Sequence, residues 1–124
     1  MLETDLRTYL LSHDSLKSYI SNRIYPGWIP ENATMPCVAY LNVSGVRFHD
    51  IPVGFPRYQF SIFSKGYIEA KSIANEMRDI LQRFKGDMGE SKIIQIVFEN
   101  EYENYENDTK LYHVTIDFKI ILWE

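Results

Sequence analysis

LYHVTIDFKIIL, residues 111–122, decides the fold class. Tyr112, Val114, Ile116, Phe118, Ile120 and Leu122 share one parity; His113, Thr115, Asp117 and Lys119 share the other. Successive side chains point to opposite faces of a strand, so this stretch reads as a strand with one face in a core. Just upstream, Ile94, Ile96 and Phe98 oppose Gln95 and Glu99 in a second strand. The polar run 104–109 joins the two, and a connection that short serves antiparallel neighbours.

Working outward, Arg57–Ser64 alternates as cleanly, with Tyr58, Phe60 and Ile62 against Arg57, Gln59 and Ser61. Residues 37–46 (CVAYLNVSGV) read as a strand whose end is weakened or bulged at Ser44-Gly45. Between these strands and the hairpin, Ala70, Ile73, Ala74, Met77, Ile80, Leu81 and Phe84 recur every three or four residues. That spacing predicts a long amphipathic helix, capped by Ser64 and ended before Gly86. Leu2, Leu6, Tyr9 and Leu10 predict a short opening helix with Thr4 and Asp5 in its first turn. Asp14 is placed to cap a further turn carrying Leu16, Tyr19 and Ile20. The expected fold is α+β: a four-stranded, mainly antiparallel sheet with one long and one short helix packed on one face, and long loops. The expected order is helix, strand, strand, helix, strand, strand, in a single domain spanning 1–124. The uncovered sheet face then calls for water or a partner.

A chain of 124 residues has room for one core, and 45% apolar with 24% charged residues is the composition of a folding chain. The net charge of −4, with no cluster of Lys and Arg, argues against a sequence-independent nucleic-acid binder. Cys37 is the single cysteine, so no internal disulfide can form, which points to assembly in a reducing cytosol. The N-terminus has neither a basic start nor an apolar core, and no apolar run approaches the ~20 residues that span a bilayer. The expectation is a protein neither exported nor embedded.

No catalytic, cofactor or metal residue is assigned. The six glycines form no phosphate loop, and His13, His49 and His113 lie far apart with no second ligand at metal spacing. Cys37, at the start of an apolar strand, reads as packing and not as a nucleophile. Glu99, Glu101 and Glu103 alternate and so are expected on one face of a strand, followed by Glu106 and Asp108. They can be a solvated face that discourages edge aggregation, a counterpart to Arg or Lys of a neighbouring subunit, the lining of a ring opening, or a cation or acid–base site. Trp28 and Ile29 in the Pro-rich stretch 26–36, and Phe48, Ile51, Val53 and Phe55 in 48–56, are apolar for loops. Either they fold back on the core or they mark contact surfaces, with Trp28, Ile29, Phe48, Ile51 and Phe55 as candidate partner contacts.

Several local strings, in their order, carry a resemblance: Arg23-Ile24-Tyr25-Pro26, Met35-Pro36 leading into Val38-Ala39-Tyr40, Ser44-Gly45, and Tyr58-Gln59-Phe60-Ser61-Ile62. The helix from Glu69 to Phe84, the acidic Glu99-Asn100-Glu101 and the closing Leu111–Phe118 stretch extend it over nearly the whole chain. The sequence resembles the tail completion, or tail-to-head joining, proteins of long-tailed bacteriophages and prophages. The resemblance implies a non-enzymatic structural protein that closes the head-proximal end of the tail tube, typically as a homohexameric ring. Its implied partners are copies of itself, the tail tube protein and head–tail connector proteins, with DNA passing through without sequence-specific binding and no membrane. It implies assembly in the host bacterial cytoplasm and residence in the virion, with Glu99, Glu101 and Glu103 as candidate lumen or subunit contacts. The alternative is a small bacterial ligand-binding or regulatory α+β domain, which needs a pocket between helix and sheet.

Overall fold

The computed structural model describes residues 1–124. Two short helices, α1 (Leu2–Leu11) and α2 (Asp14–Ile20), lead into β1 (Ile24–Pro26), β2 (Cys37–Ser44), β3 (Val53–Gly54) and β4 (Arg57–Ser64). The long helix α3 (Tyr67–Leu81) follows, then β5 (Gly86–Met88), β6 (Ser91–Glu106) and β7 (Leu111–Trp123).

The expectation of a four-stranded antiparallel sheet with one long and one short helix is corrected. The sheet has seven strands in the order β1-β2-β4-β7-β6-β5, with β3 added beside the end of β7. It is mixed, because β1 runs parallel to β2, and it curls into a half-barrel carrying three helices. With 44% of residues in strands, the protein is mostly β. The three unforeseen strands are two or three residues long, too short to display a period of two. Each exists only because a longer strand offers an edge: β1 to β2, β3 to β7, and β5 to β6. Pro26, which has no N–H to give, is tolerated because β1 is the outermost strand.

The four long strands form as their patterns require. β4 alternates without a break between partly exposed and buried positions, and its register sets Tyr58 opposite Phe118, Phe60 opposite Ile116 and Ile62 opposite Val114. The same parity brings Phe98 opposite Phe118 and Ile96 opposite Ile120. With the partly buried Phe98 packed against it, one cluster of 22 buried residues joins the others to Ala70, Ile73, Ala74, Met77 and Leu81 of α3, Leu6 and Leu10 of α1, and Leu16 and Ile20 of α2. Phe118 sits at its centre, with edge-to-face contacts to Phe60 at 5.9 Å and Phe98 at 5.8 Å between centroids.

The helix ends differ in detail from the sequence reading. The N-cap of α3 is Gly66; Ser64, two residues earlier, accepts the Gly66 N–H at 3.1 Å and donates to Glu69 at 2.6 Å. His13 precedes α2, so Asp14 is its first residue and not its cap. Met1 is the N-cap of α1, and Thr4 turns its hydroxyl back to the Met1 carbonyl at 2.9 Å. Asp5 instead ties α1 to the start of β6, accepting the Ser91 hydroxyl at 2.6 Å, a bond that holds its carboxyl below the usual range.

Candidate functional surfaces

The β6–β7 hairpin is longer than its sequence suggests: β6 runs to Glu106 and only residues 107–110 turn. Along β6 the register slips between Phe98 and Asn100, leaving Glu99 as the extra residue of a bulge. This overturns the expectation of three glutamates in a row on one face, because one inserted residue reverses the facing of what precedes it. Glu99 joins Lys119 at 3.5 Å on the face away from the helices. Glu101 and Glu103, opposite the core residues Ile116 and Val114, lie on the helix side.

On that side α3 supplies their counterions. Lys71 Nζ donates to Glu101 and, at 2.9 Å, meets Glu103; Tyr67 donates to Glu103 at 2.8 Å. Arg78 stands 3.6 Å from Glu101 and lies 4.6 Å over the Phe98 ring. The two carboxylates push the Lys71 amine above its ordinary range, and the ammonium holds Glu103 below the usual carboxylate range. Tyr67 and Tyr105 both pack on Tyr112. The protruding half of the hairpin is therefore strapped to α3 through charge and aromatic contacts. Lys71 and Arg78, seven residues apart on one helix face, were not singled out from the sequence; that spacing was the available signal.

The sheet face away from the helices is not bare. Arg57 lies 3.5 Å from the buried Asp117, Gln59 donates to the Tyr102 hydroxyl at 3.1 Å, and Phe63 stacks on His113 at 4.2 Å. Burial pushes the His113 imidazole below its ordinary value. These polar side chains cover one another across β4, β7 and β6, which is why Thr115 and Asp117 are buried although they face away from the core.

The apolar loop residues divide. Trp28 is 89% exposed and stands over an open groove of about 280 Å³ lined by Ile29, Ala39, Leu41 and Phe63. Ile29 is half-buried. In the second loop Val53 folds inward as part of β3, while Phe48 and Ile51 are about half exposed. Phe55 is half-buried and packs edge-to-face on Phe48 at 4.7 Å. Leu41, Val43 and Val46 extend this exposed apolar area beyond the residues named from the sequence; they lie in the second half of β2 and just past it, where a strand pattern gives no warning that β1 has stopped at Tyr40. Cys37 is fully buried and its thiol is pushed up by burial, a packing residue.

No three His, Cys, Asp or Glu side chains converge at metal-ligand spacing, and no helix is long and apolar enough to cross a membrane. Comparison with curated protein sequences finds no match. Among solved structures, a chain from the virion of a native gene transfer agent particle superposes with a TM-score of 0.83, covering 99% of this chain and 95% of that one. At 12% identity that likeness speaks for the fold. The family model for the tail completion protein gp17 matches residues 4–122. With all but the first three and last two residues inside that match, the chain belongs to the tail completion protein gp17 family and is a structural protein of phage-type tails.

Proposed function

We propose that this protein caps the head-proximal end of the tail tube and joins it to the head as a closed ring of identical subunits, six in number. The observation that carries the reading is family membership across nearly the full chain together with a fold shared with a virion component. Exposed apolar loops support it: Trp28, Phe48 and Ile51 present area that a lone soluble domain has no reason to display, and contact with the tube or the connector would cover it. Ile29 and Phe55 back these residues as the half-buried base of each contact.

The acidic residues take a different place in this reading. We assign Glu101 and Glu103, held by α3, and Glu99, held by Lys119 on the other face, to subunit edges, a reading that their opposite facing supports over one shared lining of the DNA passage. The mass of the purified protein across concentration, by light scattering coupled to size exclusion, tests the ring. A species six times the 14.6 kDa chain is expected; a strict monomer, alone and with tail tubes added, refutes it.

A further inference from the structure

We infer that two free strand edges at opposite ends of the sheet pair with each other between copies: the outer edge of β6 on one subunit with the outer edge of β2 on the next. This rests on the ring reading and names the surface that would close it.

β6 has 16 residues, but β5 covers only Ser91, Lys92 and Ile93. The turn after α3 then uses both backbone groups of Ile96, which bond to Arg83 and Phe84. Beyond that point no backbone partner lies on the outer side. In an antiparallel strand, alternate residues aim their N–H and C=O away from the partner. Counting from Ile96 through the bulge, Glu101, Glu103 and Tyr105 aim theirs outward. At the other end, β1 covers β2 only from Val38 to Tyr40, and the chain leaves at Gly27, whose N–H bonds the Tyr40 carbonyl. Asn42, two residues on, has its outward backbone groups unpaired.

An unpaired edge is a template for another strand. The two edges here are unlike, one aromatic and acidic and the other aliphatic. The β6 edge carries exposed Tyr102 and Tyr105 among five carboxylates between Glu99 and Thr109, of which Glu99, Glu101 and Glu103 are paired with Lys119 and α3. Glu106 and Asp108 have no ion-pair partner within the chain. The β2 edge carries exposed Leu41 and Val43, followed past its end by exposed Val46 and by Arg47, which is ion-paired with Glu124 at 3.1 Å. Unlike edges that match make a heterologous, head-to-tail contact, the kind that generates rings. The Glu99 bulge and the unpaired carboxylates of Glu106 and Asp108 disfavour pairing of β6 with a second β6, since those like charges would face each other.

Residue-resolved amide hydrogen exchange, at concentrations below and above assembly, tests this. In the ring the amides of Glu101, Glu103, Tyr105 and Asn42 should slow by at least ~10-fold relative to the monomer, because an edge amide is protected only once paired. Tyr105→Pro, which removes one outward N–H where an edge tolerates proline, should raise the concentration for half-assembly roughly tenfold over Tyr105→Ala. A ring whose edge amides exchange as fast as in the monomer overturns the edge pairing and leaves the ring standing. A strict monomer overturns both. Should the proline variant fail to fold, the wild-type exchange decides alone.

Discussion

Replacing Lys71 by Met keeps the aliphatic stem and removes the ammonium that holds Glu101 and Glu103. Glu101 would then face Arg78 alone, at 3.6 Å, with its Oε1 already lacking a hydrogen bond. Exposed ion pairs contribute about 0–1 kcal/mol, and removing one partner of a buried pair costs about 3–5. Lys71 and Glu101 are 27% and 15% exposed, so the Lys71–Glu101 interaction lies between these limits, and the expected loss is about 2 kcal/mol. For a domain of this size that lowers the melting temperature by roughly 5–10 °C. Urea denaturation of the monomer at fixed concentration measures it. The double variant Lys71→Met with Glu101→Gln should recover on the order of 1 kcal/mol, since the stranded carboxylate is gone. The pH dependence has a definite sign. The folded Glu103 carboxyl titrates below its unfolded value, so its contribution is present above about pH 4.3 and fades as pH falls through the folded value. The gap between wild type and Lys71→Met should therefore narrow in acid. A loss under 0.5 kcal/mol with strictly additive double-variant effects would refute the strap.

Phe118→Ala empties the centre of the core between Phe60 and Phe98 and should cost about 3–5 kcal/mol, read by the same denaturation. His113 is held neutral in its stack on Phe63, whereas the unfolded chain takes up a proton below about pH 6.5. Stability should thus fall as pH drops from 6.5 toward 5, and His113→Phe should flatten that slope. Trp28→Ala should leave monomer stability within ~0.5 kcal/mol, because the side chain is exposed, while reducing the yield of tails joined to heads counted by electron microscopy. Equal joining by the variant would remove Trp28 from the contact.

The long elements were legible because each repeats its pattern often enough to be read. The sequence of β7 alternates from Tyr112 to Ile120, β4 alternates across its eight residues, and α3 places Ala70, Ile73, Ala74, Met77 and Leu81 on one stripe. Hydrophobic periodicity is a local property, and burial follows it whenever a partner surface exists. From that the sequence alone determined the helix-covered core and the hairpin, while the exposure of Trp28 was settled only by the fold. What β1, β3 and β5 would do was decided by tertiary structure, since two or three residues become a strand only where a longer strand lends its free edge. The same holds for the glutamates. Alternation placed Glu99, Glu101 and Glu103 on one face, and a single bulge sent Glu99 to Lys119 and left the other two to Lys71, some 30 residues away on α3. The loop at 48–56 likewise split, with Val53 drawn into pairing beside β7 while Phe48 and Ile51 stayed outside. Register and charge partners depend on which distant segments share a space, and one extra residue in a strand changes them without altering the local pattern.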